Sequence, residues 1–224
     1  MISPRISWSA QPEFDKIFEG KDGCFVLYDV KADRIIMEYE NTIVKWDGVD
    51  REYVEWNRDQ TPKSWLKYSP VWVSQWIMPQ LGLPQIEKYL ADFRYGNRDM
   101  SGGITQAWLS STLKISAEEQ IDFLKRFWLG NISVSKRAIA LTKKSMDGEF
   151  GSSGATMLGK TGSGYLGDRN DPKGRRVGWY IGHLISGDRE FLFATNFRGV
   201  ADSKPPGYTA RNITKRILKD GGLF

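Results

Sequence analysis

Seven residues near the start of the last third of the chain carry the densest chemistry: Gly159-Lys160-Thr161-Gly162-Ser163-Gly164-Tyr165. One cation, two hydroxyls and three glycines set donors beside a backbone with little side-chain bulk. An anionic ligand or a developing oxyanion needs that arrangement. Two incompatible structures could supply it. Gly154 to Thr161 matches the phosphate-loop pattern G-x-x-x-x-G-K-[ST] letter for letter. Alternatively, an extended Lys160-Thr161-Gly162 would place an ammonium and a hydroxyl on alternate sides of a strand. The N–H of Ser163 would then face a cleft, provided the strand is an edge.

Other residue types narrow the chemistry. Cys24 is the only cysteine and His183 the only histidine, so a zinc site built on His and Cys is not expected and no metal is called. His183 lies inside the strand-like run Val177 to Ile185, where a half-buried strand histidine is the simpler reading than a triad base. The chain has 224 residues, 40% of them apolar and 26% charged, which suits one folded domain of ordinary composition. Its formal charge of +5 is mild. Lys and Arg are interspersed with acids and form no run of five or six, which argues against a nucleic-acid partner. No stretch is apolar enough to span a bilayer. Met1 to Trp8 lacks the apolar core of a secretory signal.

The elements that must position these groups are legible in outline. Cys24–Val30 and Arg34–Tyr39 read as a hairpin closed by Lys31-Ala-Asp33. Residues 41–60 form a loop-rich segment without clear periodicity. Ser69-Pro70 opens a helix with Val73, Ile77 and Leu81 on one face and Gly82 near its end. Pro84 opens a second helix with Ile86, Tyr89, Leu90 and Phe93 as its buried stripe, ending before the turn Tyr95-Gly96-Asn97. Ser116 and Glu119 form a capping-box pattern ahead of Ile121, Leu124 and Phe127. A further helix is expected from Ser135 to Met146. Ala155–Lys160, Val177–Ser186 and Glu190–Phe197 read as strands, with a closing helix over Arg211–Lys219. Strands at both ends with helices between predict an α+β domain, its antiparallel sheet combining the N-terminal hairpin with the C-terminal strands.

The flanks decide against the phosphate loop. Such a loop needs a buried strand before it and a helix N-terminus after it. Asp147 to Ser153 is not a buried strand, and Gly162, Gly164, Gly167 and Pro172 forbid a helix downstream.

Taken in order, Ser69-Pro70-Val71, Tyr95-Gly96-Asn97, Trp108 and Lys160-Thr161-Gly162 resemble the motifs of class D (oxacillinase-type) serine β-lactamases. The likeness extends through Gly23 to Asp29, Lys45-Trp-Asp47, Trp56-Asn57, Thr61 to Trp65, Val71 to Gln75, Asp92 to Asn97 and Leu113 to Ser116. It covers the chain from about residue 18, leaving 1–17 as an extension ahead of a penicillin-binding transpeptidase-like domain over 18–224. The resemblance implies that Ser69 relays protons, and that Lys160 neutralises a substrate carboxylate beside Thr161 and Gly162. Ser163 would lend an oxyanion-hole N–H, and Trp108 would shield a carboxylated lysine. Tyr95 and Asn97 would line the cleft. Arg211 would bind the carboxylate, with Ala210 aligning equally well. Without the resemblance, Ser69-Pro70 reads as N-cap and N1, Trp108 as core, and Tyr95-Gly96-Asn97 as a helix-ending turn. The implied partners are β-lactam small molecules and the implied compartment is the periplasm. No cofactor is implied beyond the carbon-dioxide-carboxylated lysine, and the oligomeric state is left open.

The resemblance breaks at the nucleophile. The family's Ser-x-x-Lys, in which serine attacks the lactam and the carboxylated lysine acts as base, belongs between the hairpin and Trp46. Here Glu38 to Lys45 joins the two directly, and a segment of roughly thirty residues has no counterpart. Ser64-Trp-Leu-Lys67 and Ser133-Val-Ser-Lys136 match the string elsewhere, as a chain rich in both residues does by chance. The expectation is a class D family member, inactive or severely impaired as an enzyme. The alternatives are a non-catalytic penicillin- or peptidoglycan-binding module and, less favoured, a nucleotide binder. Loss of a central apolar helix would also leave a marginal or rearranged fold.

Overall fold

A computed structural model of the chain describes residues 23–29, 34–41, 43–151, 154–167, 174–200 and 205–224. The described residues fall into two compact units, divided between Pro62 and Lys63.

In the first unit, β1 (Gly23–Asp29) and β2 (Arg34–Asn41) form the expected antiparallel hairpin. Its Lys31 to Asp33 connection lies outside the described residues. Three residues beyond β2, Val44 already bridges to Gln60, with N–H···O bonds of 2.8 and 2.9 Å in the two directions. The loop between them is held by its own polar side chains. Asp59 accepts from Lys45 Nζ and the Trp46 N–H, Asp47 accepts from Arg51, and buried Gln60 donates to the Glu55 and Arg58 carbonyls. A loop without hydrophobic periodicity is thus fixed by side-chain hydrogen bonds instead.

The second unit begins with α1 (Pro62–Tyr68), a helix too short for its periodicity to announce itself, started by a proline whose missing N–H costs nothing in a first turn. α2 (Val71–Leu81) and α3 (Leu83–Asp92) follow, hinged at Gly82, whose φ of 76° ends the first helix. The cap of α2 is Pro70 and not Ser69, which corrects the Ser-Pro reading by one residue. Ile86 packs with Met100 and Ala107 to close this helical layer. α4 (Ala117–Trp128) carries the full capping box: Glu119 N–H donates to Ser116 Oγ at 3.1 Å and Ser116 N–H to Glu119 Oε2 at 2.8 Å. α5 (Lys136–Ser145) is capped by Ser135.

Four antiparallel strands follow, β3 (Asp147–Phe150), β4 (Thr156–Leu166), β5 (Arg175–Ser186) and β6 (Arg189–Val200), in that spatial order. The closing helix α6 (Pro206–Asp220) packs on them, and Ala210 enters the core of Met157, Tyr180, Leu184 and Phe193. The α+β class stands.

Three details differ from the sequence expectation. Among the described residues, the hairpin and the C-terminal strands form separate ladders. Asp147 to Phe150 is a strand, though a short one on the sheet's outer edge, with Phe150 exposed. And β4 does not stop at Lys160 but runs on to Leu166. Gly164 there serves close approach: a Cβ on it would stand 2.1 Å from Ser110 Oγ and 2.9 Å from Val177. No described helix is long and apolar enough to cross a membrane.

Candidate functional site

β4 is the scaffold of the site. β3 pairs only with Thr156 to Gly159, so from Lys160 onward that edge of β4 has no strand partner among the described residues. On the other side β5 pairs with β4 along its whole length, Thr161 opposite Tyr180 and Ser163 opposite Gly178. The Tyr165 N–H points to the open edge, where it donates to Ser110 Oγ at 3.1 Å. N–H directions alternate along a strand, so the Ser163 N–H, two residues earlier, faces the same edge. The Ser163 hydroxyl faces α6 and accepts the Gly207 N–H at 2.9 Å. Backbone and side chain of this residue therefore do different work.

Beside this edge lies a cavity of about 290 Å³ lined by Lys67, Glu149, Gly159, Lys160, Thr161, Tyr180, Tyr208 and Arg211, among others. Lys160 Nζ donates to the Thr161 carbonyl at 2.7 Å. Arg211 points into the cavity while Ala210, fully buried, is core, so the structure separates the two positions that align equally well. Opposite stands Glu149 on β3. Its Oε1 accepts from Arg211 Nε at 2.6 Å and from Tyr180 OH at 3.3 Å, and its Oε2 from Lys215 Nζ at 2.8 Å. Burial pushes the Glu149 carboxyl up, but the Arg211 and Lys215 hydrogen bonds and charges outweigh it and bring the pKa down to about 2. The same hydrogen bond raises Arg211. With three cations on the wall and one carboxylate, itself neutralised, the cavity favours an anion.

The helical residues gather elsewhere. Trp108 lines a second, apolar cavity of about 290 Å³ with Trp65, Ser74, Ile77, Met78, Leu81, Ile86, Leu90, Met100 and Leu113. Its indole N–H has no hydrogen-bond partner among the described residues. Ser69 stands between α1 and α2 with φ 53°, a left-handed conformation uncommon for a residue with a side chain. Half-buried Tyr95 packs on Phe123, edge to face, with its hydroxyl 3.3 Å from Gln120 Oε1, and desolvation raises its pKa. Asn97 is a loop clamp: its side chain accepts from the Lys114 and Asp99 N–H groups and donates to the Thr112 carbonyl. Gly96, at φ 50°, lies so close to Lys114 that a Cβ would be 2.0 Å from its carbonyl oxygen. Lys160, Thr161 and Arg211 thus share one cavity, Trp108 lines another, and Tyr95 and Asn97 line neither.

The other chemical candidates resolve as structure. His183 is buried on β5, its Nε2 2.9 Å from Glu190 and its ring stacked on Trp128. Gly154 to Thr161 is mostly strand, and strand follows it, so no helix N-terminus is present for a phosphate. Ser133 precedes α5 rather than sharing its face with Lys136. Lys67 does line the anion-favouring cavity, and Ser64, one turn earlier on α1, does not. Sequence reasoning missed Glu149, Lys215, Tyr180 and Ser110. Strand register brings Glu149 and Tyr180 and loop closure brings Ser110, while Lys215 follows Arg211 by one helical turn on α6.

Comparison with known proteins gives the class to which this fold and edge strand belong. Residues 33–219 match the family of the penicillin binding protein transpeptidase domain, and the chain belongs to that family. Within it, the chain is a class D β-lactamase relative. It is 35% identical to β-lactamase OXA-1 of Escherichia coli, over 88% of this chain and 82% of that one. Among solved structures, it matches the class D β-lactamase BAT-2 with a TM-score of 0.69 and 30% identity, covering 96% of this chain and 97% of that one. The C-terminal domain of the Bacillus licheniformis BlaR penicillin-receptor matches with a TM-score of 0.74 and 31% identity, covering 82% and 71%.

Proposed function

We propose that this chain is a β-lactam-recognising member of the class D group that lacks the acylating machinery. The family reaction, hydrolysis of β-lactams through a serine acyl-enzyme, is severely impaired or absent here. The observation that carries this reading is the junction after β2. Two residues separate Asn41 from the Val44–Gln60 bridge, and no helix that could hold Ser-x-x-Lys fits between them. The alignment with OXA-1 supports the same reading. It runs over 234 positions, more than the 224 residues of this chain, so that relative carries residues with no counterpart here.

In this reading Lys160 and Arg211 attract the ligand carboxylate, Thr161 and Gly162 present hydroxyl and backbone to it, and the Ser163 N–H receives the lactam carbonyl. The roles that the resemblance implies for Ser69 and Trp108, proton relay and lysine shielding, would have no nucleophile to serve. The likeness to a penicillin-receptor domain supports penicillin binding as the chain's own activity. The class D relatives support export to the periplasm. The test is equilibrium binding of a penicillin to the wild type and to Lys160→Ala. Loss of one charge-assisted contact is expected to weaken binding by about 10- to 100-fold. Equal affinity of the two proteins would count against the proposed site.

A further inference from the structure

We infer that Glu149 is a positioning residue for Arg211, holding the guanidinium by its Nε so that the opposite end stays open to a ligand carboxylate. This rests on the reading of the Lys160 cavity as the recognition site for β-lactams that bear a free carboxylate.

The geometry divides the guanidinium in two. Glu149 Oε1 takes the Nε–H at 2.6 Å, and Nη1 and Nη2 make no hydrogen bond among the described residues. A carboxylate acting as an internal competitor would occupy the paired donors of the fork. Glu149 instead divides its two oxygens among Arg211, Tyr180 and Lys215, and keeps neither for a second donor of Arg211. Its own charge is balanced by Lys215, so the assembly of one carboxylate and two cations remains net positive toward the cavity. The carboxylate is anchored in turn. Its strand is in register with β4, Glu149 opposite Met157, and its side chain is 16% exposed. A long, rotamer-rich arginine held this way loses less freedom when a ligand arrives.

The experiment measures equilibrium binding of benzylpenicillin and of its methyl ester to the wild type, Glu149→Gln, Arg211→Ala and the double variant. The wild type is expected to prefer the free acid by about tenfold or more, the scale of a charge-assisted contact. Glu149→Gln should erode that preference while leaving ester affinity unchanged, and should add nothing on top of Arg211→Ala. A rise in acid affinity would make Glu149 a competitor and overturn the proposal, as would an unchanged preference. A second arm does not depend on binding: phenylglyoxal labelling, read by peptide mass. Glu149→Gln should speed labelling at Arg211 and leave Arg216 unaffected, and unchanged Arg211 labelling overturns the pairing. If neither protein binds penicillin, the proposed function fails and the labelling arm still decides the role of Glu149.

Discussion

The sheet edge and the helical layer keep their family motifs in different ways. Along β4, Lys160 and Thr161 line a cavity beside an open strand edge, and Glu149, Arg211 and Tyr208 converge on the same space. In the helical layer, Asn97 has its side chain filled by the 112–114 loop, Tyr95 packs on Phe123, and Trp108 lines an apolar cavity. A strand fixes the groups it carries by its own ladder, so they hold a common wall. The helical and loop groups are held instead by their packing and by hydrogen bonds to one another. On the proposed reading, recognition and catalysis in this fold rest on separable parts.

The largest effect that could break this contrast is turnover itself. Loss of nucleophile and base in serine hydrolases costs on the order of 10⁶ in kcat. Assays with a chromogenic cephalosporin should therefore show no hydrolysis beyond background, with Ser64→Ala and Ser133→Ala indistinguishable from wild type. Hydrolysis abolished by Ser64→Ala would restore catalysis to α1, next to the Lys67 that already lines the cavity.

Next in size is Asn97. Removing its three hydrogen bonds by Asn97→Ala should destabilise the protein by about 2 kcal/mol in denaturant melts. Penicillin affinity should remain unchanged, and a selective loss of affinity would return Asn97 to the cleft.

Glu149 offers a pH-dependent test. Its folded pKa of about 2 lies below the ordinary carboxylate value of 4.5. Its contribution is therefore present above pH 4.5 and lost as pH falls toward 2. The amount is about 1–2 kcal/mol after allowance for solvent screening. Glu149→Gln should flatten that acid limb in melts between pH 5 and 2. The smallest effect sharpens the helical side alone: Ser116→Ala, which removes one half of the capping box, should cost about 1 kcal/mol in stability and nothing in binding.

Much of this architecture was legible in the chain. Gly82, the Ser116–Glu119 pair and the apolar steps of α2 to α4 place their helices within a residue or two, because caps and periodicity are local signals. Lys160-Thr161-Gly162 was legible only because Ser69, Tyr95 and Trp108 accompany it in order. Glu149 was not, since only the register that sets Asp147 opposite Gly159 brings it to Arg211. The extension of β4 past Lys160 was hidden for a physical reason: glycine signals a turn more often than a close approach, and Gly164 is the second kind.

The central claim is recognition without acylation, and intact-protein mass spectrometry tests it most directly. The protein would be incubated with a fluorescent penicillin, measured for bound label, then diluted and measured again by fluorescence and by mass. Label that binds, depends on Lys160 and leaves on dilution, with the protein at its unmodified mass, is the predicted result. A stable adduct of the penicillin's mass on any serine would contradict it.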